Sequence, residues 1–187
     1  MNDIINLLFE AKILKEIPRT GFHYLGSGQE SVAEHSFSIT FIAFIMTKLC
    51  PEIDALKLIT ICLIHDLPEA RMGDLNYVHK QYATAHEDQV LSDYNKKVPF
   101  GMEISNLINE FNNGDSIEAS LARDADQISI ILELKALKDQ GHRGPDVWLT
   151  SIRKRLKTEL GQKMADNIMK TEWDQWWHDI LKEKRIS

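Results

Sequence analysis

Apolar residues recur every three to four positions along almost the whole chain, and this helical period limits the fold more than any other feature of the sequence. No stretch of useful length alternates apolar and polar residues as a half-buried strand does. Helix-breaking residues divide the pattern, among them Pro18, Pro51, Gly114 and Gly141. The chain is therefore predicted to be all-α, a compact single-domain bundle of seven to nine helices.

The predicted helices cover about residues 4–14, 31–50, 55–66, 80–96, 101–112, 116–140, 146–170 and 172–184. Ser31 and Glu34 have the spacing of a capping box at the start of the second helix. The third helix is apolar around its whole circumference, so we expect it to be buried on nearly all sides. A chain of 187 residues can bury one sizeable core, which predicts one domain over residues 1–187.

The overall composition argues against several partners. With 22 basic and 28 acidic residues, the net charge of −6 disfavours a nucleic-acid polymer as the main partner. The most apolar run, 37–46, is about half as long as a membrane-spanning helix, and the N-terminus does not resemble a signal peptide. Cys50 and Cys62 lie in apolar stretches and are expected to be reduced core residues. We therefore predict a soluble, cytoplasmic protein with no membrane partner.

The residues that could carry chemistry begin with His65 and Asp66, at the end of the apolar third helix. Neighbouring side chains on a helix point in different directions, so both can reach one ion only where the helix ends or bends. Pro68 provides such an end. The pair alone is weak evidence, because His178 and Asp179 form a second one in a tryptophan-rich terminal helix without nearby candidate ligands.

Two further residues complete a candidate set of metal ligands. His35 lies one turn into the apolar helix that the capping box opens, where a lone histidine is more often a core residue than a ligand. Asp126 lies on the apolar stripe of helix 116–140, four residues from both Ala122 and Ile130, whereas Asp124 lies on another face. A carboxylate on such a stripe needs a partner, and imidazole with carboxylate suits a divalent cation. We predict one ion with the ligands His35, His65, Asp66 and Asp126.

Glu69 and Asp74 follow the His65–Asp66 pair and are candidates for the remaining chemistry. Taken alone, Glu69 would be an acid on a helix surface and Asp74 a turn residue after Gly73. Next to a metal ion, they could orient or deprotonate a water molecule and assist the leaving oxygen. The pattern therefore favours metal-assisted hydrolysis of a phosphate ester.

Five short motifs resemble those of a known family. They are Pro18-Arg-Thr-Gly-Phe22, Glu30-Ser-Val-Ala-Glu-His-Ser36, His65-Asp-Leu-Pro-Glu69, Gly73-Asp-Leu75 and Asp124-Ala-Asp-Gln127. In order and spacing they resemble the 5′-deoxynucleotidase branch of the HD-domain metal-dependent phosphohydrolases. The likeness spans about residues 4–140, whereas the C-terminal helices, about 146–184, carry no motif of this kind.

The resemblance implies a fold, an activity and roles for individual residues. The fold would be the HD-domain helical bundle, and the activity the cleavage of (deoxy)ribonucleoside 5′-monophosphates to nucleoside and phosphate. The ligands named above would hold one divalent metal ion, which could be Mn, Co, Fe, Zn, Ni or Mg. Glu69, Asp74 and Arg19 would be catalytic, with Glu69 positioning the attacking water and Arg19 binding the phosphate. The nucleotide site would be lined by Arg19, Phe22, Asp74, Tyr77 and Lys80.

Another phosphomonoesterase or phosphodiesterase of the same superfamily, or a non-catalytic nucleotide sensor, is the alternative. Two-metal HD diesterases usually need extra histidines, including a His-His pair, and this chain has no such pair. Relatives often have tryptophan at the position of Phe22 and proline at that of Asn76, so the choice between deoxyribose and ribose stays open. Trp173, Trp176 and Trp177 are expected to pack in the core or in the interface of a homodimer.

Overall fold

The structure, a computed structural model, describes residues 1–184 as helices joined by short loops. The helices are α1 (Asn2–Ile13), α2 (Phe22–Leu25), α3 (Val32–Leu49), α4 (Ala55–Ile64), α5 (Glu69–Met72), α6 (Glu87–Lys97), α7 (Gly101–Asn113), α8 (Ile117–Asp139), α9 (Pro145–Arg153), α10 (Glu159–Ile168) and α11 (Gln175–Lys184). A 3₁₀ turn covers His79–Gln81. Residues 1–184 contain no strand, which confirms the all-α prediction.

The structure has more helices than the predicted seven to nine. The loops before α3 and after α4 each contain a single-turn helix, α2 and α5, that is too short for a periodic pattern to reveal. The predicted helix 146–170 is two helices, α9 and α10. One domain over the whole chain remains a prediction, and its last three positions, 185–187, lie outside the described residues.

Helices α3, α4 and α8 form the centre of the fold and pack directly against one another. α3 starts at a complete capping box, because the Glu34 N–H donates to the Ser31 hydroxyl while the Ser31 N–H donates to the Glu34 carboxylate. The inner face of α3 buries Ile39, Ala43 and Met46 in the main apolar core. This packing fixes the relative positions of the three helices that carry the predicted metal ligands.

The expectation that α4 is buried on nearly all sides is wrong. Leu58, Ile61 and Cys62 are buried, whereas Leu56 and Leu63 are exposed to 76% and 56%. Helices α3, α7 and α8 cover one side of α4, and the other side faces solvent in the single chain. Apolar residues all around a helix therefore do not require burial all around it.

A buried carboxylate explains the break between α9 and α10. Asp124, on α8, is fully buried and accepts hydrogen bonds from the Lys157 N–H at 2.7 Å and from the Thr158 N–H at 2.8 Å. The Thr158 hydroxyl also donates to Asp124, at 2.7 Å, and accepts from the Gly161 N–H, at 2.9 Å. Asp124 therefore anchors the start of α10 to α8, and both of its carboxylate oxygens are engaged in these hydrogen bonds.

Two expectations about the surface have mixed outcomes. By length and composition alone α3 could cross a membrane, but it lies at the centre of the fold, with 44% of its residues buried against other helices. The core helix of a globular protein passes the same test, and a cytoplasmic location stays a prediction. Trp173, Trp176 and Trp177 are exposed to 45%, 67% and 38%, so the core alternative for them is wrong.

Candidate metal centre

Three of the four predicted ligands meet at one point. His35 on α3, His65 at the C-terminal end of α4 and Asp126 on α8 offer nitrogen and oxygen atoms that lie within 4.8 Å of one another. Both histidines are buried, and Asp126 is half-buried. The central helix packing therefore assembles two imidazoles and one carboxylate, a donor set that suits a divalent transition metal.

Each histidine is fixed through its Nδ1 atom. Nδ1 of His65 lies 3.1 Å from the Cys62 carbonyl oxygen, so a protonated Nδ1 donates there and leaves the Nε2 lone pair available. Nδ1 of His35 lies 3.3 Å from Ser129 Oγ and 3.6 Å from a carboxylate oxygen of Glu30. Partners of this kind orient metal-binding imidazoles and set their basicity.

The pKa values of His35 and Asp126 favour the metal-binding form of both groups. Burial lowers the pKa of His35, and the charge of Arg19 lowers it further, which favours the neutral imidazole. Burial alone would raise the pKa of Asp126, but its contact with His35 Nε2 at 2.9 Å and the charge of Arg19 hold that pKa well below its ordinary value. Gln127 Nε2 donates to the second Asp126 oxygen at 2.6 Å.

Asp66, the fourth predicted ligand, lies beside this cluster. One of its oxygens is 3.2 Å from His65 Nε2, and the other is 3.4 Å from Arg19 Nη1. The helical turn ends here, because α4 closes at Ile64 and Pro68 follows. The two neighbouring side chains therefore point to the same region, as the bend predicted, while direct ligation by Asp66 stays a prediction.

Arg19 reaches the cluster from the loop before α2. Its Nη1 lies 3.3 Å from one Asp74 oxygen, and the Thr20 N–H and hydroxyl donate to the other Asp74 oxygen at 2.6 and 2.9 Å. Asn76 Nδ2 donates to Thr20 Oγ1 at 3.0 Å. Both Asp74 oxygens are thus engaged in holding the loop that carries Arg19, which favours a positioning role for Asp74.

Glu69 carries an unpaired buried oxygen. Its Oε2 has no hydrogen-bond partner among the residues that the structure describes. Burial raises the pKa of Glu69 well above its ordinary value, and the negative charges of Asp66 and Asp74 raise it further. An unpaired buried acceptor costs free energy. Oε2 of Glu69 would therefore be stabilised by a bound hydrogen-bond donor or a cation.

The charge balance of this region fits a bound cation. The guanidinium of Arg19 is surrounded by the carboxylates of Asp66, Asp126, Asp74 and Glu69. The positive charges of Arg19 and Lys80 act on this region, but they are two against the three carboxylates of Asp66, Asp74 and Asp126. The neutral imidazole of His35 adds no positive charge. The region thus combines excess negative charge, an unpaired Glu69 oxygen and the two imidazoles of His35 and His65. This combination is typical of a site for a divalent metal ion.

A cavity of about 910 Å³ reaches the cluster, and its walls include His65, Asp66 and Asp126. This volume lies in the usual range for sites that bind small molecules. The predicted catalytic and substrate-binding residues also line it; they are Arg19, Phe22, Glu69, Asp74, Tyr77 and Lys80. The structure therefore gathers the predicted residues around one cavity, with Tyr77 and Lys80 at its exposed side.

Similarity to known proteins identifies the family. Residues 11–169 match the family model described as HD domain. This chain belongs to the HD-domain family. A 5′-deoxynucleotidase of Schizosaccharomyces pombe is 24% identical over 184 residues, which cover 91% of this HD-domain chain and 90% of the yeast protein.

Solved structures share the same fold. A conserved hypothetical protein from Pyrococcus furiosus has a TM-score of 0.74 at 27% identity and covers 89% of this HD-domain chain and 99% of its own. An HD phosphohydrolase of cyanophage S-2L, bound to dA and one catalytic Zn²⁺ ion, has a TM-score of 0.57 at 18% identity. That superposition covers 87% of this chain and 96% of the cyanophage chain.

The HD-domain cavity also contains residues that the sequence patterns did not single out. Trp148 and Ile152 on α9 line it, although the C-terminal helices carry no motif. Glu30 and Gln127 lie inside the quoted motifs but had no assigned role, and each now supports a predicted ligand. The i, i+4 spacing of Trp148 and Ile152 predicts an inward face, but it cannot show which helix or cavity that face meets.

Proposed function

We propose that this HD-domain protein is a metal-dependent 5′-nucleotidase that hydrolyses (deoxy)ribonucleoside 5′-monophosphates to nucleoside and phosphate. The observation that carries the proposal is the cluster of His35, His65 and Asp126, of which His65 and Asp126 line a cavity that also contains Arg19 and Glu69 with its unpaired Oε2. The yeast relative named 5′-deoxynucleotidase, which matches almost the whole chain, supports this substrate class.

The proposed ligands of a single divalent ion are His35, His65, Asp66 and Asp126. When bound, such an ion supplies a Lewis acid that polarises the phosphoryl group and makes a water molecule more acidic. Zinc is the first ion to test, because the cyanophage HD phosphohydrolase was solved with one catalytic Zn²⁺ ion. Imidazole and carboxylate donors also suit Mn, Co, Fe and Ni, and Mg belongs in the comparison for its preference for carboxylates.

The other residues of the polar region would position the ester and the attacking water. The Glu69 carboxylate would accept a hydrogen bond from the water and take up its proton. Arg19 would donate to the phosphoryl oxygens, where its charge offsets the negative charge of the transition state. Asp74 and Thr20 would keep Arg19 in place through the contacts described above.

A phosphate-release screen tests the proposed function. Metal-free protein would be loaded in turn with Mn, Co, Fe, Zn, Ni or Mg and assayed on deoxyribo- and ribonucleoside 5′-monophosphates. Cyclic and bis-phosphorylated nucleotides would serve as comparison substrates. We expect phosphate release from the 5′-monophosphates, and activity confined to the comparison substrates would overturn the proposal in favour of a related diesterase.

We also propose that two copies of the chain form a homodimer through the outer face of α3. Phe37, Phe41 and Phe44 on this face are exposed to 73%, 56% and 42%, and their rings lie 6.4 and 6.2 Å apart in a row. A contiguous aromatic surface of this kind is typical of protein interfaces. Light scattering should give the mass of a dimer for the wild type and of a monomer for Phe41→Asp, and a monomeric wild type would refute the proposal.

A further inference from the structure

The cavity consists of two chemically different halves. Its polar half is lined by Arg19 and by three predicted metal ligands, His65, Asp66 and Asp126, whereas its other half is mainly apolar and lies between α8 and α9. The apolar half is lined mainly by Leu25, Ile130, Leu134, Trp148 and Ile152, and the polar side chains of Ser151 and Arg155 also reach the cavity from this side. We propose that this apolar half binds the base of a nucleotide substrate and that Trp148 provides the aromatic surface against which the base stacks. The inference rests on the proposed function and names the part of the substrate that each half receives.

Helix α8 connects the two halves. Ile130 and Leu134 follow Asp126 by four and eight residues, so all three side chains lie on neighbouring positions of one face of the helix. At 1.5 Å of rise per residue, Ile130 and Leu134 are about 6 and 12 Å further along the axis than Asp126. A nucleoside monophosphate has its phosphate at one end and its planar base at the other, over a comparable length. A phosphate beside Asp126 therefore directs the base toward α9.

Helix α9 is held firmly against the loop that carries Arg19. Two ring atoms of Trp148 would lie only 3.2 and 3.4 Å from a Cβ at Gly21, so the indole packs closely on the Gly21 backbone. A Cβ at Gly144, just before α9, would lie 3.1 Å from the Leu25 carbonyl oxygen. These close approaches fix the distance between the α9 wall and the phosphate-binding loop.

Trp148 has the exposure that a stacking surface needs. Its indole is half-buried and lines the cavity, while Ile152, one turn later on the same face of α9, is buried. Leu134 is buried on the facing helix, so the apolar half has α8 on one side and α9 on the other. A mainly apolar cleft beside an aromatic ring suits a planar base, and such stacking tolerates different bases.

The test separates the base from the rest of the substrate. Trp148→Ala and Trp148→Phe would be compared with Trp176→Ala, which removes an exposed tryptophan of α11 that does not line this cavity. Each protein would be assayed with deoxyadenosine 5′-monophosphate and with deoxyribose 5-phosphate, which lacks the base. Binding of deoxyadenosine to the metal-free proteins would be measured by equilibrium dialysis, so that one readout does not depend on turnover.

We expect Trp148→Ala to raise the KM for the nucleotide by roughly tenfold to 100-fold, because a stacked base is lost. The same variant should weaken deoxyadenosine binding and should affect the sugar phosphate much less. Trp148→Phe should keep most of the affinity, and Trp176→Ala should match the wild type. Equal losses on both substrates would overturn the inference, since Trp148 would then act only by supporting Gly21, and an unchanged nucleotide KM would overturn it as well.

A second variant keeps the test decisive if Trp148→Ala does not fold. Ile130→Trp would fill the apolar half from α8 and should block the nucleotide and deoxyadenosine while the sugar phosphate is still hydrolysed. Unchanged binding of deoxyadenosine by Ile130→Trp would refute the base subsite. If the wild type hydrolyses neither substrate, the proposed function fails, and deoxyadenosine binding still decides whether the base subsite exists.

Discussion

Asp66 lies beside the cluster of His35, His65 and Asp126, and mutation tests whether it is the fourth metal ligand. Its oxygens lie between His65 and Arg19, so an amide there would remove a negative charge while keeping the shape of the side chain. We expect Asp66→Asn to lower metal affinity by at least roughly tenfold and to remove most turnover with it. Metal content after gel filtration and phosphate release measure the two effects. A variant with full metal content and full turnover would show that Asp66 is not a ligand.

Glu69 should affect turnover without affecting metal content. We expect Glu69→Gln to keep the metal and to lose about 10²–10⁴-fold in kcat, because the amide cannot accept the proton of the attacking water. Glu87→Gln is the matched control, since Glu87 lines the same cavity but accepts a hydrogen bond from Asn112 at 3.0 Å. Unchanged turnover in Glu69→Gln, measured at saturating metal, would remove the catalytic role.

The sequence could predict the roles of some buried polar residues but not of others. His35 and Asp126 could be proposed because polar side chains on apolar helical stripes need a partner, and the structure brings both together. The neighbouring Asp124 is fully buried, but both of its oxygens accept hydrogen bonds from the start of α10, which lies more than thirty positions away. Local spacing cannot distinguish a carboxylate that needs a cation from one that receives three hydrogen bonds from a distant segment.

Contacts between helices add a pH-dependent contribution to stability. Glu10 on α1 accepts hydrogen bonds from Arg71 on α5 at 2.6 and 2.9 Å and from the Tyr94 hydroxyl on α6 at 2.8 Å. Burial alone would raise the pKa of Glu10, but these bonds from Arg71 and Tyr94 hold it below its ordinary value of 4.5. A lowered pKa in the folded state stabilises the protein above the unfolded pKa, and this contribution is lost as the pH falls through the folded pKa.

Glu10→Gln should therefore destabilise the protein at neutral pH by about 1 kcal/mol, because the side chain is partly exposed. The difference from the wild type should shrink as the pH falls below the ordinary pKa of 4.5. Urea unfolding of the metal-free proteins at a series of pH values measures this, with Glu16→Gln, at an exposed position of the next turn, as the control. A difference that stays constant with pH would mean that the ionised form of Glu10 is not what the contacts stabilise.

At the scale of whole helices, prediction succeeded where the signal is local. The capping box of α3 is formed as predicted, because its hydrogen bonds join residues three positions apart. The burial of α4 was predicted wrongly, since Leu56 and Leu63 are apolar but no described helix covers them. The cavity wall of α9 was not predicted, because its position depends on packing against α8 and on the close approach to Gly21.

At the scale of the molecule, the proposed metal ligands connect parts of the chain that only folding brings together. They come from α3, from the end of α4 and from α8, over 91 positions between His35 and Asp126. An ion held by all three helices binds the folded chain and has no comparable site in the unfolded chain. Binding should therefore raise the thermal stability of the whole molecule, since the fold and the site share the same helix packing.

We expect the Tm of the wild type to rise by roughly 5–10 °C when the ion is present at 100 times its Kd, compared with protein in excess chelator. Differential scanning fluorimetry across a series of Zn²⁺ and Mn²⁺ concentrations measures the shift. Asp66→Asn should show a smaller shift at the same ion concentration, and Ca²⁺, which prefers sites built from oxygen donors alone, should have little effect on the wild type. An equal Tm in chelator and in saturating metal would mean that α3, α4 and α8 do not hold the ion jointly, and the ligand set would have to be sought elsewhere in the cavity.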